Sequence, residues 1–417
     1  MSKRAMLHYI WRHRLLTQME CKTTTGEMVE IFTTGDADLN DYSFTNVCVK
    51  VGGVEFNGTL LVEPDATTPT SEDEVLCIAS SGNEFASNYT RVLYINNDKR
   101  WEDEFTAVCK GQFPCTATIA STDALHTTGY LSRLLIERIE EKAARIAAIH
   151  LLGDKRWEET LFRLLIRNFG FGIQGDAFEK WAEVLNLTAL NKHRDNLLQV
   201  EAVFFGQAGL LETDSIPEYY RVEAERTPYY CELKREYKFL AAKFGLQQVD
   251  HNIWRSCGNS LPHTRIARLA KMFHNGTITL SAIAECDTID DLKRLLQTPL
   301  AGYWNNHGHF GGTTIVGKPE TISTKHLHLF IINTIVPMLY SYGKHRRDNA
   351  LCSKAEDFLY ALPGEDNGII RGWSKVGLNV TCAADSQALI QLKKEYCNKG
   401  RCIECMFAYR YLKSLRK

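Results

Sequence analysis

Apolar residues recur at two different periods along this chain. From Glu27 to about Ile119 they come in short, largely β-branched runs: Val29-Glu30-Ile31-Phe32, Val47-Cys48-Val49-Lys50-Val51, Thr59-Leu60-Leu61-Val62, Val75-Leu76-Cys77-Ile78 and Val92-Leu93-Tyr94-Ile95. Turn formers bound them (Gly26, Gly35, Gly52-Gly53, Pro64, Gly82-Asn83, Asn96-Asn97), so each run reads as a strand. A short helix over residues 7–16 precedes them. At about Thr127 the period becomes helical. Leu131, Leu135, Ile139, Ile146 and Ile149 share one face, with Glu137, Arg138, Glu141, Lys142 and Arg145 opposite. The same pattern predicts helices over 157–169, 177–185, 195–211, 229–244, 264–273, 288–296, 324–342, 350–361, 385–396 and 405–415. Thr288-Ile289-Asp290-Asp291 is a helix start, with a capping hydroxyl and acids in the first turn. Pro337 should kink the helix that contains it. No fixed-period repeat is present. The expected fold class is α+β: a β-rich domain over 1–125, then an all-helical domain over 126–417 that ends in a cysteine-containing basic tail.

Composition narrows this only a little. With 417 residues, 44% hydrophobic and 24% charged, the chain is ordinary globular material and too long for one small core. Charge is more telling. The net charge of −1 conceals −8 over residues 1–125 and +7 over the rest. An acidic surface repels a phosphate backbone, so a polyanionic partner is expected on the C-terminal part. The N-terminal residues are basic with no apolar core after them, unlike a signal peptide. The longest apolar stretch, 327–340, contains His328, Asn333 and Pro337 and reads as a buried helix rather than a membrane span. Thirteen scattered cysteines without an export signal are expected to be reduced thiols in a cytoplasmic protein, which leaves the Asn-x-Ser/Thr sequons without weight.

Several short motifs fail on context. Gly170-Phe171-Gly172-Ile173-Gln174-Gly175 has dinucleotide-fingerprint spacing but follows a predicted helix, so it reads as a turn between helices. His193-Arg194-Asp195 lacks every other kinase element, and Asp195 reads as a helix cap. His307/His309 lie in a loop, while the spacing of His326/His328 splits them across two helix faces. Cys397, Cys402 and Cys405 could hold a structural zinc, or else an iron–sulfur cluster, with Cys382, Cys352 or His345 as fourth ligand, or pack inward as small apolar residues. Lys344, Arg346 and Arg347, together with Lys413 and Arg416 in a tail of net charge +5 interleaved with aromatics, suit nucleic-acid contact. They equally suit a solvated helix face.

Longer strings resemble a known family. They are Arg167-Asn168-Phe169-Gly170-Phe171-Gly172, Gly175-Asp176-Ala177-Phe178-Glu179, Lys192-His193-Arg194-Asp195 and the string running from Gln199 to Leu211. Leu261-Pro262-His263-Thr264-Arg265-Ile266-Ala267, Tyr303-Trp304 with His307, and Ile332-Asn333-Thr334-Ile335-Val336-Pro337 continue the series. The string from Ser386 to Cys397, with Cys402 and Cys405, closes it. Together they resemble a Bacteroidetes family catalogued as a domain of unknown function (number 2851). That family's N-terminal pattern, Gly-Pro-Asp-Phe and then Val-Glu-Ile-His one hairpin later, resembles the metal site of restriction-endonuclease-like nucleases, where carboxylates hold Mg²⁺. In this chain Ser43 and Leu61 stand at the two acid positions and Glu63 at the histidine. The resemblance therefore implies a degenerate, non-catalytic nuclease relative, and the basic charge of its helical part suits nucleic-acid binding there. Two other readings stay open: a scaffold protein without nucleic-acid contact, and a Mg²⁺-dependent nuclease rebuilt from Asp41, Glu55 and Glu63. A one-residue register shift moves a side chain to the other sheet face, which works against the rebuilt site. No membrane partner is expected.

Overall fold

The structure, a computed structural model, describes residues 3–12, 14, 21–23, 27–38, 43–62, 75–79, 91–95, 115–152, 156–170, 174–257, 262–312 and 321–414. The chain is divided between two compact units. One comprises Met1–Leu134, Asp366–Val380 and Ala388–Lys417; the other comprises Leu135–Glu365 and Thr381–Gln387. This division is discontinuous, where the hydrophobic pattern alone suggests one break near residue 125.

The first unit begins with helix α1 (Lys3–Arg12) and holds strands β1 (Cys21–Thr23), β2 (Val29–Thr33), β3 (Asp36–Asp38), β4 (Ser43–Val51), β5 (Val54–Val62), β6 (Val75–Ala79) and β7 (Arg91–Ile95). They form one sheet in the order β1-β7-β6-β5-β4-β2, with β3 also on β4. β4 and β5 are a hairpin in which Val51 pairs with Val54. Its two-residue turn, Gly52-Gly53, has φ of 55° and 87°, which glycine adopts without a Cβ clash. β5, β6 and β7 run parallel, and the other pairings are antiparallel. The mixed direction is invisible in the sequence, because a strand's own pattern does not encode its neighbour's polarity. Helix α1 sits against the sheet: Arg4 Nε donates to the Val62 carbonyl at 2.7 Å, His8 stacks on Phe44 at 4.3 Å, and Trp11 Nε1 donates to the Thr34 carbonyl at 3.1 Å.

Among the described residues the α-helices that follow are α2 (Thr116–Ser121), α3 (Ala124–Leu152), α4 (Trp157–Phe169), α5 (Gly175–Val184), α6 (Leu187–Lys192), α7 (Leu197–Gln207), α8 (Glu218–Arg226), α9 (Pro228–Phe244), α10 (His263–Asn275), α11 (Leu280–Glu285) and α12 (Ile289–Leu296). After them come α13 (Thr324–Phe330), α14 (Val336–Arg346), α15 (Asn349–Ala361), α16 (Gly368–Lys375), α17 (Ala383–Gln391) and α18 (Met406–Ser414). The C-terminal helix α18 belongs to the first unit and packs on α2. Phe407 meets Tyr130 edge-on at 5.4 Å, Arg410 pairs with Asp123 at 3.2 Å, and Trp373 Nε1 donates to the Leu389 carbonyl at 3.0 Å. No helix among the described residues is long and apolar enough to cross a membrane.

In the second unit α7 is the hub. Every residue from Val200 to Gln207 is buried, so this helix has no solvated face over that stretch, and α9 and α10 pack against it. Gly206 permits the approach of α9, since a Cβ there would fall 2.1 Å from the Tyr237 ring. Gly→Ala in a helix usually stabilises by up to ~1 kcal/mol. Here the sign should reverse: Gly206→Ala is expected to lower the denaturation free energy by roughly 1–3 kcal/mol through overpacking. Adding Tyr237→Ala should remove most of that penalty, and a denaturant-unfolding cycle of the two variants checks it.

The Thr288 start forms a capping box with Asp291, as the sequence predicts. The cap of α7 is a correction: Asn196, not Asp195, accepts the Gln199 amide, at 3.2 Å. Pro337 has the effect expected of a residue without an amide hydrogen. A π-helical turn, Ile331–Ile335, separates α13 from α14. The Asn333 carbonyl, four residues before Pro337, instead accepts from Asn168 Nδ2 at 3.2 Å.

Candidate functional site

An open groove of about 900 Å³ lies in the second unit between α3 and α14, closed at one end by the start of α4. Its floor on α3 is small and apolar (Ala143, Ala144, Ala147), because alanines on one helical face leave the depth that larger residues would fill. His150 and Leu151 come from the end of α3, Trp157 opens α4, and Tyr340, Ser341, Lys344 and His345 come from α14. Ser341 Oγ donates to the Ala143 carbonyl at 3.1 Å and ties the two walls together.

Rings gather at one end. His150, buried, stacks on Trp157 at 4.0 Å and 17°. His345 lies 5.2 Å from Trp157, and Tyr342 meets Trp157 at 5.4 Å in an edge-to-face contact. Trp157 and Tyr342 are half-buried, while His345 is exposed. Around them stands the basic end of α14. Lys344 pairs with Glu140 at 3.3 Å, which raises its pKa, and Arg346 donates to the Tyr342 hydroxyl at 3.0 Å. Arg347 ends the helix in a left-handed conformation (φ 58°) and forms no ion pair among the described residues. Cations at a helix C-terminus also answer the helix dipole, but that dipole amounts to only about half a charge against three basic side chains.

The other expected site residues are distributed differently. Lys413 falls within α18, its side chain outside the described residues; Arg416, Asp41 and Glu63 lie outside them as well. Glu55 is exposed near the hairpin turn, where it accepts from Cys48 Sγ at 3.3 Å. Ser43 and Leu61, the two positions where the family pattern would place acids, are direct cross-strand partners on β4 and β5. Glu55 sits six residues along β5 from Leu61, roughly 20 Å at strand rise, too far to share an ion with that pair.

Cys397, Cys402 and Cys405 line one small apolar cavity with Cys115, Trp373, Tyr396 and Phe407. Cys382 belongs to the other unit. Among the described residues no group of three or more His, Cys, Asp or Glu side chains is arranged to hold a metal ion. His307 stacks on Tyr303 at 3.9 Å, and His309 lies against Tyr220 at 4.1 Å, so these histidines are engaged with separate rings. The Gly170–Gly175 segment has a helix on each side, α4 and α5, and so lacks the strand that a dinucleotide fingerprint requires.

The family-like strings have a common structural role that the sequence does not reveal. Asn168 donates to Asn333 and to Thr334 Oγ1 (2.8 Å), and Lys142 joins Asn333 Oδ1 (3.0 Å) to Gln387 Oε1 (2.6 Å). Gln207, fully buried, receives the Asn186 amide and donates to the Val184 and Gln247 carbonyls. Arg265 reaches Gln174 at 2.6 Å. A further connection is a relay in which Trp304 Nε1 donates to Tyr229 Oη (2.8 Å) and Tyr229 donates to Glu201 Oε2 (2.9 Å). Burial pushes the Glu201 carboxyl up to about 7, against the lowering effects of Tyr229 and Lys271. These strings therefore mark buried and half-buried polar connectors between helices, satisfied by partners from elsewhere in the sequence.

The architecture defines a largely helical α+β protein with a small mixed sheet at its N-terminal end and an open, ring-lined groove in its helical unit. The chain belongs to the family described as "Protein of unknown function (DUF2851)", which matches residues 91–368 and so covers the whole groove. No curated protein and no solved structure matches the chain.

Proposed function

We propose that this protein is a non-catalytic nucleic-acid-binding member of its family and that the groove between α3 and α14 is the binding surface. One observation carries the reading: exposed Lys344 lines an open groove, and exposed Arg346 and Arg347 follow it at the end of α14, just past the groove and beside the Trp157–Tyr342–His345 rings. Phosphate attraction supplies affinity, and a concave wall gives the chain a path. The positive balance of the sequence beyond residue 125 points the same way. Support for the loss of catalysis comes from Ser43 and Leu61, cross-strand partners without a carboxylate between them. Nuclease ancestry itself rests on the sequence resemblance.

Binding of a labelled oligonucleotide should weaken steeply as salt rises. Arg346→Glu with Arg347→Glu should weaken it further and flatten the log–log salt slope by roughly one per lost contact. Binding indifferent to salt, or unchanged in the double variant, would reject the proposal and favour a protein-interaction role.

A further inference from the structure

We infer that the groove selects single-stranded over duplex nucleic acid, by admitting unpaired bases onto its ring cluster while the rim holds the phosphates. The inference deepens the proposed function and rests on it.

Three features argue for bases rather than backbone alone. The first is size. About 900 Å³ lies near the top of the range of ligand-sized pockets, ~300–1,000 Å³, enough for a few unpaired nucleotides but not for an intact double helix. The second is the floor, where Ala143, Ala144 and Ala147 offer depth without polar groups that a flat aromatic ring would leave unpartnered. The third is the rings themselves. Trp157 is held by its stack on the buried His150, so it loses little freedom on meeting a base, and exposed His345 stands beside it. In a duplex the faces of the bases are already stacked on one another, so such rings gain nothing. In a single strand every base has a free face, and stacking is tolerant of sequence.

Charge placement agrees. Lys344 is balanced by Glu140 within the groove, whereas Arg346 and Arg347 lie beyond it at the end of α14. The interior is thus close to neutral and the rim is positive, an order that suits bases inward and phosphates outward.

The test uses the full-length protein and labelled homopolymeric and mixed-sequence oligonucleotides, single-stranded and as duplexes of the same sequence, followed by fluorescence anisotropy. Single strands should bind at least tenfold more tightly. His345→Ala, at an exposed position, and Trp157→Phe should each erode that preference while leaving the salt slope unchanged; Trp157→Ala should weaken single-strand binding roughly tenfold. Unfolding curves of His345→Ala should match the parent protein, which separates a binding effect from a folding one. Equal, salt-dependent binding of both forms would overturn single-strand selection and leave the basic rim standing. Unaltered selectivity in His345→Ala and Trp157→Phe would also overturn it. No binding to either form would reject this inference together with the function on which it rests.

Discussion

Raising the pH from about 4.5 to about 7 should remove roughly 3 kcal/mol from the folding free energy through one side chain, Glu201. Its carboxyl is 7% exposed and accepts one hydrogen bond from Tyr229, which does not replace the water lost on burial. The folded-state pKa is raised, so the folded protein holds the proton over a range where the unfolded chain has released it. Stability is greatest below the ordinary glutamate value, falls through this window and levels off above about 7. His309 and His328 act in the opposite sense near pH 6.5, because burial lowers their pKa and the unfolded chain binds the extra protons. Comparison of the parent protein with Glu201→Gln therefore isolates the carboxyl. Gln keeps an acceptor for Tyr229, and denaturant midpoints of the two proteins should diverge as pH rises, with the Gln variant the more stable at pH 7 and above. Parallel pH profiles would show that Glu201 ionises without penalty.

Trp304→Ala should be the most damaging single truncation in the same region, at about 3–5 kcal/mol. The indole is 1% exposed, stacks on Phe205 at 5.0 Å and meets Phe310 at 5.1 Å. Its N–H is also the first donor of the relay to Glu201, so removal leaves a large void and withdraws the donor from the Tyr229 hydroxyl. Trp304→Phe restores most of the ring volume but not the N–H, and should recover more than half of the loss. Tyr229→Phe leaves both the indole N–H and the Glu201 carboxyl without their present partner and should cost about 1–3 kcal/mol. Equilibrium unfolding of the three variants checks the order. A Trp304→Ala protein within ~1 kcal/mol of the parent would mean that this aromatic cluster is not the core it resembles.

Much of the fold was legible because local rules and global packing agree over long stretches. Trp157–Phe169 is helical over the range that its periodicity predicts, and Leu135, Ile139 and Ile146 are buried on the predicted face of α3. The five strand runs all fall within strands. Short helices such as α6, α8 and α16 were not legible, since six to nine residues carry few turns for a period to emerge; the eight-residue α12 was legible through its capping residues. The candidate groove was half legible. Lys344, Arg346 and Arg347 stand out as a basic run, but Trp157 and His150 give no sign in sequence that they face the same opening as residues nearly two hundred positions later.

By itself, the sequence determined the strand runs and most of the longer helices, the sign of the charge over each stretch, the Thr288 helix start and membership of the family. Those properties depend on groups a few residues apart, whose geometry the backbone dictates. Tertiary structure alone decided that the C-terminal helix joins the N-terminal unit and that β5, β6 and β7 run parallel. It alone paired Ser43 with Leu61, supplied Asn168 to the carbonyl that Pro337 cannot bond, and set a ring cluster beside a basic helix end. Each of these joins groups from distant parts of the chain, and their meeting is set by how apolar faces pack, which no local pattern encodes.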